Sequence, residues 1–436
     1  MKAEELLEKI GEVDERFAAE AAAKPKKTGR RFGKLAAAAA AFALLLTAGF
    51  LLLPGGKTEA KDLLRDVTPQ KPEEGVITED FKTAYWDWTC RLMNALDTDR
   101  NSLISPYSLM TVTDMVGLGA SGSTRAEIEA VLGASPEEIC RQLYCLRGLL
   151  AKTALVQADG LWFDECAGLV KTEYLARVLG AFQANAYQTN FQANREGSLK
   201  AVNEYVNRAT KGMIPEGYKS LDPNTILLLT DALLYEGQWE EKFDKDKTGR
   251  ALFTELSGEQ VYVEMMNGSA DSYLEDETAI GVVKPYRDGI SFVALMPKKG
   301  EDYRTFAAEL SAGRLAELTA ARRPAEVTLK LPKLSMSYSA DARRLLEKAG
   351  LQLTLSLQAE FSGITDDDVY LSDICHKTRI EMDEEGARVA AFSGIGVAIK
   401  SAPMPIKLTF DRPFVFFFVE DTTGLPLFVG TVTDFD

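Results

Sequence analysis

The chain has 436 residues, enough for two or three ordinary domains or one large one, and 46% hydrophobic residues supply a sizeable core. A net charge of −15 argues against nucleic acid as a partner, because a phosphate backbone attracts basic surfaces and repels acidic ones. Five cysteines, an odd count that leaves at least one thiol free, argue against a disulfide framework, and the lack of a Cys-x-x-Cys spacing with a single histidine leaves too few ligands for a zinc site, so neither a metal nor a cofactor is expected.

Residues 1–34 hold nine Lys/Arg and seven Asp/Glu, and Leu6, Leu7, Ile10, Val13 and Phe17 recur at helical spacing. Leu35–Leu53 follows, 19 residues without a charge. A helix of that length covers ~28 Å, close to the ~30 Å hydrocarbon core of a bilayer. Lys24, Lys26, Lys27, Arg30, Arg31 and Lys34 precede it, which by the positive-inside rule keeps the N-terminus cytoplasmic. The expectation is therefore a single-pass signal anchor at 35–53, a cytoplasmic segment at 1–34 and export of everything after Pro54. The alternatives are secretion after signal cleavage and an Ala-rich core helix. Residues 54–79 are polar, contain Pro69 and Pro72, and read as a linker to one globular domain at 80–436.

Within that domain Phe81, Tyr85, Trp88, Leu92 and Leu96 predict an amphipathic helix. Thr124-Arg-Ala-Glu127 has the form of a capping box, with Gly133 where the helix would stop. Val202, Tyr205 and Val206 mark a helix ending near Gly212, and residues 339–350 another. Apolar runs of strand length lie at 226–229, 232–235, 291–296, 327–331, 414–419 and 427–432. Helices come mostly early and strands mostly late, which predicts an α+β fold with a largely antiparallel sheet.

Several motifs then occur in a characteristic order. Asn101-Ser-Leu-Ile-Ser-Pro-Tyr-Ser-Leu109 is followed by Gly117-Leu-Gly-Ala-Ser-Gly-Ser-Thr124 and Val131-Leu-Gly133. Val202-Asn-Glu-Tyr-Val206 with Thr210-Lys-Gly-Met-Ile214 comes next, then Thr230-Asp-Ala-Leu-Leu-Tyr-Glu-Gly-Gln-Trp239. An acidic, strand-like run from His376 passes through Glu384-Glu385-Gly386-Ala387 into small residues, ahead of Phe410-Asp-Arg-Pro-Phe414 and Leu427-Phe-Val-Gly430. Together these resemble the serpin family over residues 80–436.

The resemblance implies a serpin-like α+β fold: a large, mainly antiparallel central sheet, further sheets, surrounding helices and an exposed reactive-centre loop at about 386–404. It implies no enzyme but a monomeric suicide inhibitor of serine, or alternatively cysteine, proteases. The protease attacks the loop and forms an acyl-enzyme, and the cut loop enters the sheet as a new strand. The alternative is a non-inhibitory serpin acting as a binding or structural surface protein. A hydrolase would need a base beside a nucleophile, and His376 has no such motif near it.

By the same resemblance Glu384, Glu385, Gly386, Ala387, Val389 and Ala391 form the hinge. In an inserted strand Ala387, Val389, Ala391 and Ser393 share one face, small enough to bury. Val389 stands where the family more often has Ala. Counting from Gly386 places the reactive bond at Lys400-Ser401, and counting back from Pro413 moves it to Ala402-Pro403, where Pro hinders cleavage. Lys400 favours a trypsin-like protease, with elastase-like and subtilisin-like enzymes as alternatives. Ser105, Ser108, Asp231 and His376 fall where the family gates sheet opening, the shutter, with Asp231 in place of the usual Asn. Trp239, Lys333 and Glu384 fall where the loop first enters, the breach, with Lys333 and Glu384 expected to pair.

Overall fold

A computed structural model describes residues 60–214, 216–222, 224–387 and 406–435. Nine helices are found among them: α1 (Glu79–Ala95), α2 (Pro106–Gly117), α3 (Gly122–Leu132), α4 (Pro136–Leu150), α5 (Thr172–Phe182), α6 (Arg195–Ala209), α7 (Tyr303–Ala308), α8 (Ala312–Ala320) and α9 (Ala342–Ala349). The predicted spacing in α1 is realised, with Phe81, Tyr85, Trp88 and Leu92 buried. Thr78 caps this helix by accepting from the Phe81 amide, and Glu79 and Asp80 oppose the helix dipole in its first turn. In α2 every residue is buried; Ser105 caps it and Pro106, with φ preset and no amide to satisfy, opens it.

The first sheet contains β1 (Lys61–Asp62), β3 (Leu155–Asp164), β4 (Asn185–Thr189), β5 (Leu227–Tyr235), β11 (Leu334–Asp341), β12 (Leu371–Asp383) and β13 (Gly386–Ala387). Its order is β1-β4-β3-β5-β12-β11, with β13 on β12. The second holds β2 (Ser102–Ile104), β6 (Gly249–Thr254), β7 (Gln260–Glu275), β8 (Ala279–Pro285), β9 (Ile290–Pro297), β10 (Arg323–Pro332), β14 (Ile406–Thr409), β15 (Phe414–Glu420) and β16 (Leu425–Val432). Its order is β14-β10-β7-β8-β9-β15-β16-β2, with β6 on β7. The fold is α+β, and antiparallel joints predominate. The joint between β5 and β12 is parallel, with His376 level with Asp231.

Local readings differ from the structure in three places. The runs 226–229 and 232–235 are one strand, β5, buried from end to end, with Thr230 and Asp231 inside it. The expected helix at 339–350 begins only at Ala342, because Ser339–Asp341 pair with Cys375–Lys377 as the end of β11. The capping box does not form: α3 starts at Gly122, before Thr124. The Thr124 hydroxyl instead accepts the Glu360 amide, and Glu127 accepts the Leu353 and Thr354 amides.

From Ala60 onward the stretch expected as a linker lies against the folded body. Lys61 and Asp62 pair with Gln188 and Tyr187 of β4, the Gln70 amide donates to the Ala176 carbonyl, and that of Thr78 to Gln142 Oε1. Leu63, Leu64, Val67 and Ile77 pack on the main core, so polar composition here reflects a one-faced strap rather than a free tether. Gly180 admits the close approach: a Cβ there would lie 2.1 Å from the Gln70 carbonyl oxygen.

The expected membrane-anchored localisation is corrected: among the described residues no helix is long and apolar enough to cross a membrane. The segments at 1–34 and 35–53 lie outside the described residues. Eight of the 19 residues at 35–53 are Ala, whose single methyl removes little apolar area from water.

Candidate functional site

Two clusters meet at the joint between β5 and β12. At its far end the chain leaves β12 and turns back through Glu384 and Glu385 into β13, whose Gly386 and Ala387 pair antiparallel with Asp383 and Met382. Gly386 also bridges antiparallel to Gln238, just beyond β5. Gly386 thus already lies between the extensions of two parallel strands. Only glycine fits there: φ is +134°, and a Cβ would sit 2.4 Å from the Gly237 carbonyl oxygen and 2.7 Å from Gln238 Cα.

Trp239 anchors this turn. It is fully buried, stacks on Tyr286 at 4.0 Å between centroids, meets Phe243 and Phe292 edge-on, and donates its indole N–H to the Asp383 carbonyl at 2.9 Å. Backbone bonds from the Trp239 amide to the Glu385 carbonyl and from the Phe243 amide to the Glu384 carbonyl tie the acidic pair down. Glu384 pairs with Lys333 at 2.8 Å, and Glu385 pairs with Lys242 and, at 3.1 Å, with Lys245. Burial opposes ionisation of Glu384, yet its bond to Lys333 holds the carboxyl below its usual value. The bond to Lys242 does the same for Glu385.

The other cluster lies mid-sheet. His376 Nε2 accepts the Ser105 amide at 3.1 Å, so the ring proton sits on Nδ1 and is donated to Asp231 Oδ2 at 2.7 Å. The imidazole is therefore neutral. Ser105 Oγ donates to the Leu427 carbonyl at 2.7 Å and accepts from the Ser108 amide. The Ser108 hydroxyl is buried without a partner among the described residues. His376 Nε2, the nitrogen a hydrolase would use as base, faces a backbone amide rather than a hydroxyl, so the cluster ties together α2, β5 and β12.

The structure thus brings Ser105, Ser108, Asp231 and His376 into one network, and Trp239, Lys333 and Glu384 into another with Glu385, Gly386 and the backbone of Ala387. Val389, Ala391, Lys400 and Ser401 lie outside the described residues. Sequence reasoning missed Asp159, level with Asp231 on β3, and Lys284 beneath Trp239. Lys284 is 1% exposed, donates to the Ser269 carbonyl at 2.8 Å, lies 4.7 Å from the Phe243 ring centre, and is pushed down by burial to about 8. The available signal was a lone charge inside an apolar run, Ala158-Asp-Gly-Leu-Trp and Val282-Val-Lys-Pro.

Gly386→Ala is expected to expel the turn from its slot. The strain is of order 1–3 kcal/mol. Limited proteolysis should show faster cutting at 383–388 than in the parent chain; equal rates would show that the slot tolerates a methyl.

A family model described as Serpin (serine protease inhibitor) matches residues 86–435. Serpin-ZXA of Oryza sativa subsp. japonica is 30% identical over 358 residues, covering 77% of this chain and 90% of that protein. Alpha-1-antitrypsin 1-4 of Mus musculus is 28% identical over 410 residues, 90% of this chain and 98% of its own. Among solved structures, the thermophilic serpin tengpin in its native state superposes with a TM-score of 0.79 at 29% identity, covering 86% of this chain and all of tengpin. Thyroxine-binding globulin in complex with thyroxine gives 0.73 at 25%, covering 81% of this chain and 98% of that one. With a family match that spans the folded body and relatives 30% identical over most of their length, the chain belongs to the serpin family of serine protease inhibitors.

Proposed function

We propose that this chain is an inhibitory serpin that traps its protease by inserting the cleaved loop, about 386–404, between β5 and β12. The observation that carries this reading is the docked start of the loop. A strand continuing from β13 would run antiparallel to both β5 and β12, the geometry that satisfies both ladders at once. The 15 residues from Gly386 to Lys400, 14 steps along the chain, carry no proline, so no ladder donor is missing. Extended at ~3.3 Å per residue they advance by about 46 Å, enough to cross the sheet.

The hinge is Glu384–Ala387 with Val389 and Ala391. Ser105, Ser108, Asp231 and His376 act as the shutter, and Trp239, Lys333 and Glu384 as the breach. In this reading the reactive bond is Lys400-Ser401 and the target a trypsin-like serine protease. The native state is then metastable, kept from the inserted form by a barrier. A non-inhibitory binding role is the second reading, favoured by the similarity to thyroxine-binding globulin.

Incubation with trypsin-like and elastase-like proteases, followed by denaturing electrophoresis, tests this. A conjugate that survives denaturation is expected with the trypsin-like enzyme, and Lys400→Ala should abolish it. Cleavage without a conjugate for every protease would favour the binding role.

A further inference from the structure

Asp159 and Asp231 face each other on β3 and β5, directly opposed in register and 2% and 1% exposed. Each uses one carboxylate oxygen. Asp231 Oδ2 accepts the His376 Nδ1–H, and Asp159 Oδ2 accepts from Gln157 Nε2 at 2.9 Å, with Arg147 Nη1 3.8 Å away. The other oxygen of each, Oδ1, is buried without a partner among the described residues. Two orphaned acceptors on neighbouring carboxylates cannot both stay anionic in a dry interior.

We propose that Asp159 and Asp231 share one proton, held by Asp159 and donated to Asp231, so that the shutter carries a buried, pH-sensitive latch. The assignment to Asp159 follows from the partners: Asp231 already accepts a hydrogen bond from His376 at 2.7 Å, whereas the cation that faces Asp159, Arg147, stands off at 3.8 Å. The groups facing the pair are His376 on β12, Arg147 on α4, Tyr107 on α2, Tyr205 on α6, and Cys375. Tyr205 donates to the Asp159 backbone carbonyl at 2.6 Å. Burial, then the Asp231 charge, pushes the Asp159 carboxyl well above the usual range, outweighing Arg147. Burial likewise raises Tyr107, Tyr205 and Cys375, so none of them adds an anion near neutrality.

The sign follows. An unfolded aspartate ionises near ~3.9, while the folded Asp159 keeps its proton to higher pH. Between those values the native state binds more protons than the unfolded one, so stability is greatest at the acid end and falls as pH rises. The geometry alone carries the shared proton; its consequence for loop insertion rests on the proposed inhibitory function.

The test compares thermal unfolding of the full chain between pH 5 and 8 with that of Asp159→Asn and Asp231→Asn. Asn at 159 donates an amide proton permanently to Asp231. Its melting temperature should lose most of the parent's decline with pH and exceed the parent's by about 5 °C at pH 8. Asp231→Asn removes the charge that holds the Asp159 proton and should also flatten the profile. Infrared spectroscopy of the parent at neutral pH should show a carboxylic-acid carbonyl band that Asp159→Asn lacks, a readout that needs no unfolding. Identical pH profiles for all three proteins, or no such band in the parent, would overturn the proposal. No protease enters these measurements, so a failure to form conjugates would count against the inhibitory function alone.

Discussion

Ala391→Arg is expected to convert the chain from a trap into a substrate. In the proposed inserted strand residue 391 shares the face of Ala387, Val389 and Ser393, which packs against buried apolar groups. A guanidinium there would cost several kcal/mol, in the range of about 2–7 for an uncompensated polar group. Nine positions separate it from Lys400, so recognition and acylation should proceed as before. What changes is the race that follows: insertion slows, water reaches the acyl bond first, and the protease is released active with both fragments of the chain. Electrophoresis and mass spectrometry should show cleavage after Lys400 and little conjugate. Undiminished trapping would mean that this face is never buried, and the insertion mechanism would fall with it.

The second large effect is expected at Trp239. Trp239→Ala removes a fully buried ring that stacks on Tyr286, touches Phe243 and Phe292, and supplies the donor for the Asp383 carbonyl. Truncations of this kind cost about 3–5 kcal/mol. For a domain of this size the melting temperature should fall by about 4–6 °C. Lys284 would lose an aromatic face 5.6 Å from its ammonium and gain access to water, relieving the burial that holds its proton affinity down. Trp239→Phe separates packing from hydrogen bonding: it keeps most of the ring and removes the N–H, at about 1 kcal/mol. If Trp239→Ala melts within a degree or two of the parent, the ring does not hold the turn, and the paired acids Glu384 and Glu385 must do so alone.

The cluster around Trp239 was the more legible of the two because most of its residues fall in short motifs. Glu384-Glu385-Gly386 is a local signature and Trp239 closes the Thr230–Trp239 motif, whereas Lys333 was placed by the resemblance alone. The partners Lys242 and Lys245 carry no such mark; they read as ordinary surface charges until the turn brings Glu385 to them. The cluster around His376 was half legible. Ser105, Ser108, Asp231 and His376 could be named, but Asp159 could not, although it completes the electrostatics that Asp231 begins.

By itself the sequence determined the elements whose signal is periodic or contiguous. Helix α1 follows from apolar residues on one face, and β15 and β16 follow from runs long enough to be buried strands. Tertiary structure decided what depends on partners far along the chain. Asp231 interrupts an apolar run and splits it into two predicted strands, yet it lies inside one strand because His376, 145 positions away, donates to it. Thr124 and Glu127 have the local form of a cap but bond to Glu360, Leu353 and Thr354, more than 220 positions away. Residues 61–78 read as a polar tether and are held by bonds to β4, α4 and α5. The physical reason is common to all three. A local pattern records which face of an element leaves water, whereas a buried polar group is stable only with a specific partner, and which groups become partners is decided when the strands and helices pack.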